Sequence, residues 1–283
     1  MSLSNFSPLP PDVRWVEAPD AVPYYSFPHI DATGIVICGF STRLGGVSPP
    51  PFDGLNLGTT TKDDIENVRV NRDRFGTALG GFEVLEWIDL VHGNAVHEAV
   101  GRDEGSFRRT ERTPRADAVI SRVPGLPLVI YTADCVPIVF VDPITPAVGL
   151  AHAGWRGTVE DVAGATVTAM QARFGTDPAK LLCGIGASIG PCCFEVHDDV
   201  AAPVRARYPQ WQDLVAPLNK EQKYRIDLWQ LNARQLERVG VPRRNIAISR
   251  LCTACRADLF FSYRRDRRET GRLSMFVALQ QGG

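Results

Sequence analysis

Histidine is scarce in this chain, five among 283 residues, too few for a centre of several copper ions held mainly by imidazoles. There is no excess of charge either. Lys and Arg total 31 against 32 Asp and Glu, a net charge of −1, so no broad field draws nucleic acid or an anionic membrane to the surface. No apolar run is long enough to span a bilayer: the longest, LPLVIYTADCVPIVFV over 126–141, is broken by Asp134 and reads as two core strands. The opening MSLSNFSPLPPDVRW has neither the basic start nor the apolar stretch of a signal peptide, which predicts a cytoplasmic protein. Repeats and low-complexity tracts are missing too. Cysteine is odd in number, seven, and in a reducing compartment such residues are thiols or metal ligands before they are disulfides.

What is present is enough apolar material, 44% of residues, to bury one large core. Strand-like runs occur at 34–43, 83–92, 117–123, 126–132, 136–142, 147–153, 181–189, 245–251, 259–265 and 274–280. Helix signals are fewer. One helix is predicted to start at Thr158, capping the amide of Asp161, and to stop at Gly175. Two more are predicted, after Asp63 and after Asp227, the last closed by Gly240. Several strand runs follow one another without an intervening helix, which predicts an α+β protein of mixed β-sheets with flanking helices rather than a doubly wound fold. Residues 1–30 read as an N-terminal extension and 31–283 as a single catalytic domain.

Three residues stand at the ends of strand-like runs with metal-capable groups. His92 follows WIDLV and precedes the turn pair Gly93-Asn94; Cys135 follows Asp134 and precedes Val136-Pro137; His152 ends AVGLA just before Ala153-Gly154. Two imidazoles and a thiolate match a three-ligand catalytic zinc, whose fourth position stays open for water or substrate. The alternative is two core histidines and a buried thiol. His29, His97 and His197 lie in Pro-flanked or polar stretches and read as structural or solvated.

The motifs FSTRLGGVS, LNLG, VHGNAV, TADCVPI, AHAGWRGT, IGPCCFEV, LCT and FFSYRRDRRETGR occur in that order between about Phe40 and Phe276. Together they resemble the YfiH/YlmD family, also called the laccase-domain or multicopper polyphenol oxidase family. The resemblance implies that family's single-domain sandwich fold and a catalytic zinc held by His92, Cys135 and His152. It implies purine nucleoside phosphorylase activity on adenosine, inosine and methylthioadenosine, with adenosine deaminase activity besides; a bacterial branch is implicated in peptidoglycan editing. Family members usually carry Gln two residues before the first of these histidines, where this chain has Leu90.

Further roles follow from that chemistry. Zinc activates water for attack at C6 of the purine, and a nearby carboxylate shuttles the proton. Asp134 is the first candidate and Glu195 the second; Asp134 could equally orient a ligand. Phosphorolysis needs an anion site, and Arg156, glycine-flanked and close before a predicted helix, suits phosphate. Arg43 in STRLGG and Asn56 in LNLG are the other candidate substrate contacts. The partners so implied are a nucleoside and phosphate, with a monomer or homodimer equally compatible. Three rivals remain: copper-dependent polyphenol oxidation; a hydrolase with Cys135 as nucleophile acting on a cell-wall precursor; and a structural zinc module of Cys192-Cys193 with Cys252-X-X-Cys255, in which adjacent cysteines make awkward partners.

Overall fold

The structure, a computed structural model, describes residues 9–18, 22–85, 87–102, 105–218 and 222–281. Its strands are β1 (Arg14–Val16), β2 (Tyr24–Ser26), β3 (Val36–Ser41), β4 (Val96–Glu98), β5 (Ala118–Ser121), β6 (Leu128–Thr132), β7 (Val136–Asp142), β8 (Ala147–Ala153), β9 (Leu182–Ile185), β10 (Glu195–Val196), β11 (Val215–Leu218), β12 (Lys223–Ile226), β13 (Ile246–Ile248) and β14 (Leu273–Leu279). The α-helices are α1 (Pro28–Asp31), α2 (Ile65–Ala78), α3 (Trp155–Val159), α4 (Val162–Phe174), α5 (Asp198–Arg207) and α6 (Leu228–Arg238).

The strands form a five-stranded sheet in the order β1-β2-β3-β14-β6, a six-stranded sheet in the order β13-β9-β7-β8-β5-β4, and a small sheet β10-β12-β11. The six-stranded sheet is mixed: β7 runs antiparallel to β8 and β9, while β9 and β13 are parallel. Its two faces meet different partners. Along β7, Val139 and Val141 join a core with Phe40, Ile130, Met275 and Phe276 of the five-stranded sheet. The alternate residues Ile138 and Phe140 join a second core with Val167 and Met170 of α4 and Leu231 and Leu236 of α6. Because successive side chains of a strand point to opposite faces, a strand with apolar layers on both sides must be apolar throughout. That is why 136–141 is a continuous apolar run rather than an alternating one.

Most strand expectations hold, and the mixed-sheet α+β architecture is observed. Two differ. The described residues of 83–92, and residues 259–265, bury large side chains, among them Trp87, Ile88, Phe260 and Phe261, but belong to no strand. Asp89 makes one isolated bridge, to Arg115. Phe260 closes a turn by donating to the Arg256 carbonyl at 2.9 Å. Helix limits also shift. The helix expected from Thr158 begins earlier as α3, and breaks at Asp161, where φ is +66°, before α4 runs to the left-handed Gly175. Asp64, not Asp63, caps α2 by accepting from the Glu66 amide at 3.0 Å. Asp227 caps α6 as expected, accepting from Gln230 at 3.0 Å. The stretch read as an N-terminal extension contributes β1 and β2, which pair onto β3, and buries Tyr25 and Phe27. Among the described residues no helix is long and apolar enough to cross a membrane.

Candidate metal centre

The chain passes from one sheet to the other between β6 and β7, and Cys135 lies in that crossover. Asp134 before it takes φ +85°, a left-handed backbone that costs a non-glycine residue energy and recurs where a side chain must be aimed. His152 is on β8 opposite Pro137 of β7, which brings it beside Cys135. His92 arrives from the irregular 83–92 segment at φ +62°. One donor atom from each of His92, Cys135 and His152 lies within 4.8 Å of the others, and the two rings stand edge to face with centroids 4.9 Å apart. A Cβ added at Gly154 would lie 2.8 Å from His92 Nδ1 and 3.2 Å from Cys135 Sγ. Glycine at this position leaves room for the two donors to converge.

Behind the three donors is a carboxylate that the sequence analysis did not single out. Asp117, fully buried at the start of β5, faces His152 Nδ1 across 2.9 Å. It also accepts backbone amides from Val91 at 3.2 Å, His92 at 2.9 Å and Gly93 at 2.6 Å. One carboxylate thus orients the second imidazole and clamps the turn that presents the first. With His152 Nδ1 so engaged, Nε2 is the atom left for an ion. The signal was faint: an acidic residue opening the apolar run AVIS, otherwise buried on both sides.

Burial and mutual charge shift the pKa values of these groups. Burial pulls the His152 imidazole down, but the Cys135 charge and the Asp117 hydrogen bond outweigh it and lift its pKa to about 9. Burial and the His152 charge lower His92. Asp117 is raised by burial but held below the usual carboxylate value by its bonds to His152, Gly93 and His92. Two imidazoles and a thiol at this spacing fit a tetrahedral ion such as zinc, whose nitrogen ligands stand about 2.0–2.1 Å and sulfur about 2.3 Å from the metal, with one position open.

The other candidates separate by place. Asp134 adjoins Cys135 but its carboxylate is occupied: Oδ1 accepts from Thr253 at 2.5 Å, Oδ2 from Ser262 at 3.0 Å and from the Arg264 amide at 2.7 Å. Arg156 is exposed on α3 with its guanidinium 4.2 Å from the Trp155 ring centroid, and its charge helps lower His92. Arg43 bonds the carbonyls of Asp53 and Ala257 and lies over Phe261. Asn56, fully buried, donates to Thr61 and Asp63 and accepts from Gly58 and Arg272. Both tie loops of the fold together. Glu195 is on β10 beside Lys223.

Arg272, quoted within a motif but given no role by the sequence, is mostly buried close to the Cys135 and Asp134 charges, which raise its pKa against the larger lowering by burial. It lines two adjoining clefts. One, of about 190 Å³, includes Ile88, Leu90, Tyr131, Arg109 and Thr60; the other, of about 440 Å³, includes Thr60, Thr61, Lys62 and Arg268. Leu90 therefore gives the smaller cleft an apolar wall two residues before His92. A second cluster is also formed: the Cys192, Cys193, Cys252 and Cys255 sulfurs lie within 4.8 Å of one another, so the adjacent cysteines do meet the second pair.

The chain is 38% identical to purine nucleoside phosphorylase YlmD of Geobacillus stearothermophilus, covering 87% of this chain and 90% of that protein. It is 37% identical to purine nucleoside phosphorylase YfiH of Escherichia coli, covering 87% and 94%. The crystal structure of YlmD from Geobacillus stearothermophilus superposes with a TM-score of 0.85 at 35% identity, over 96% of this chain and all of that one. A family model described as multi-copper polyphenol oxidoreductase laccase matches residues 37–280, and the chain belongs to this family.

Proposed function

We propose that the chain is a zinc-dependent purine nucleoside phosphorylase acting on adenosine, inosine and methylthioadenosine, and that it also deaminates adenosine. One observation carries the reading: donor atoms of His92, Cys135 and His152 come within 4.8 Å of one another, backed by Asp117, in a family with relatives named purine nucleoside phosphorylase. His92, Cys135 and His152 would hold the ion, which supplies a Lewis acid. In phosphorolysis a phosphate oxygen bonds to C1′ as the bond from C1′ to the purine nitrogen breaks; the electron pair leaves on the base, which takes up a proton.

The chain's own groups can serve that reaction. Ile88, Leu90 and Tyr131 offer apolar surface for a purine ring, and Arg272 lines the same cleft with positive charge for an anion. Arg156, exposed and close enough to influence His92, is a further cation for phosphate. In deamination water adds at C6 and ammonia leaves. Since Thr253, Ser262 and Arg264 already occupy Asp134, its part in either reaction is to fix the turn that aims Cys135.

The test is metal content measured beside phosphate-dependent release of adenine from adenosine, in the wild type and in Cys135→Ala. The expected result is release that requires phosphate and the ion and is lost in the variant. Unchanged turnover after complete removal of metal would overturn the proposal. A second reading has one observation in its favour: donor atoms of Cys135 and His152 lie within 4.8 Å of each other, the pairing used by thiol nucleophiles. Activity that survives chelation and dies on alkylation of Cys135 would select that hydrolase.

A further inference from the structure

The parallel strands β9 and β13 carry two turns side by side at their C-terminal ends. Beyond β9, Cys193 and Phe194 donate to the Gly190 carbonyl, both at 2.9 Å, closing a turn that bears Cys192 and Cys193. Beyond β13, Arg256 donates to the Cys252 carbonyl at 3.1 Å, closing a turn that bears Cys252 and Cys255. The turns are laced together: Ser188 donates to the Leu251 carbonyl at 3.2 Å and Thr253 to the Ser188 carbonyl at 3.0 Å. Four sulfurs from residues far apart in sequence are thereby placed on one spot.

Their spacing has a chemical meaning. Cys255 Sγ is 3.5 Å from Cys192 Sγ and 3.4 Å from Cys193 Sγ, far outside the roughly 2.05 Å of a disulfide. A tetrahedron of four thiolates about 2.3 Å from a zinc ion has edges of about 3.8 Å, and no pair here exceeds 4.8 Å. The buried Cys252 accepts the Gly190 amide at 3.3 Å, an outer bond of the kind that supports a metal-bound thiolate. Gly190 is itself constrained, because a Cβ there would lie 2.6 Å from the Trp229 ring and 3.3 Å from Cys192 Sγ.

We propose that Cys192, Cys193, Cys252 and Cys255 form a second metal site that takes a zinc ion in a closed four-thiolate shell. With every position filled by protein the ion is structural. What it holds matters to the first site: Thr253, between the ligands Cys252 and Cys255, donates to Asp134 beside Cys135, and its carbonyl receives Arg265 at 2.7 Å. The ion pins two turns against the loop that aims the first-site thiol. This inference goes beyond the proposed activity and stands without it.

Zinc per chain is measured on the full-length protein after exhaustive dialysis. Two ions are expected in the wild type, one in Cys135→Ala and one in Cys255→Ser, so loss of either site is seen separately. In cobalt-loaded protein the strong thiolate charge-transfer band should persist in Cys135→Ala and fall sharply in Cys255→Ser. Should Cys255→Ser fail to fold, the wild type still decides: the exposed Cys192 and Cys255 should resist a chromogenic thiol reagent until a chelator or mercurial releases zinc. A wild-type chain holding one ion, lost in Cys135→Ala, with Cys192 and Cys255 freely reactive, would overturn the site. So would a disulfide within the cluster of freshly purified protein.

Discussion

Replacing Asp117 with Asn alters one atom in a carboxylate that serves four donors. Oδ1 faces His152 Nδ1 and the His92 amide, each at 2.9 Å, while Oδ2 takes the amides of Val91 at 3.2 Å and Gly93 at 2.6 Å. An amide has one oxygen, so one pair of donors meets an NH2 group instead. If that pair is Val91 and Gly93, two part-buried amides lose their acceptor; a fully buried donor would cost about 1–3 kcal/mol, so the pair costs at most about 2–6 kcal/mol, less the share that water makes good, against a typical domain stability of about 5–15 kcal/mol. If the pair includes His152, the imidazole must turn its lone pair to Asn and carry its proton on Nε2, the nitrogen an ion requires. Outer-sphere changes of this kind cost about 10–100-fold in metal affinity, or about 1.4–2.8 kcal/mol. Competition against a chromophoric chelator should show that loss, and thermal melts of the metal-free variant should show the destabilisation. Zinc affinity within twofold of the wild type, with an unchanged melt, would refute this role for Asp117.

Other consequences are as direct. Gly154 has φ −61°, so Gly154→Ala meets no backbone obstacle; the new methyl against His92 and Cys135 should weaken zinc by about tenfold or more with little change in melting, and equal affinity would show that the donors do not converge there. In metal-free protein the His152 pKa, raised from 6.5 to about 9, contributes stability that is complete below pH 6.5 and disappears as pH rises through 9. Urea midpoints should fall across that window, less steeply in Cys135→Ala and not in zinc-loaded protein; parallel curves for wild type and Cys135→Ala would exclude the pairing. Asp134→Asn should lower kcat without moving the pH profile, because a positioning group carries no proton; disappearance of one limb of the profile would make Asp134 the shuttle.

How much of this was legible follows from range. β7 and β8 could be read directly, since seven consecutive buried residues in each strand leave an apolar run with no competing pattern. The 83–92 and 259–265 segments have the same composition, yet their apolar side chains are buried by irregular backbone, and a one-dimensional apolar run cannot distinguish burial by pairing from burial by packing. His92, Cys135 and His152 were legible as candidates because glycine and turn residues mark their positions, and the structure brings them together. Asp117 was not: its meaning lies in contacts with residues 24 to 35 positions away, and nothing adjacent to it in sequence hints at them. Arg43 and Asn56 stand in glycine-rich surroundings, and the structure engages both with the fold. Glycine-rich surroundings mark close backbone approach as readily as ligand binding, and here the approach is between loops of the fold itself.

The family's description speaks of several copper ions and polyphenols, and the donor inventory bears on that. Reduction of dioxygen to water at a multicopper centre needs a trinuclear cluster held mostly by imidazole, whereas this chain has five histidines. Among the described residues, His92 and His152 are the histidines that come together in a candidate metal group. His29 is on α1, His97 is on β4, and His197 precedes α5. The second cluster among the described residues is wholly thiol, which suits a closed-shell ion and offers no vacant position for dioxygen. A fold hosts whatever chemistry its site residues allow, so the site outranks the family's description. Copper-loaded protein is expected to bind one imidazole-ligated copper per chain, counted by paramagnetic resonance, and to consume no dioxygen with a phenol. Three or more such coppers with sustained oxygen uptake would require histidines from outside this chain, and would overturn the assignment of the centre as mononuclear.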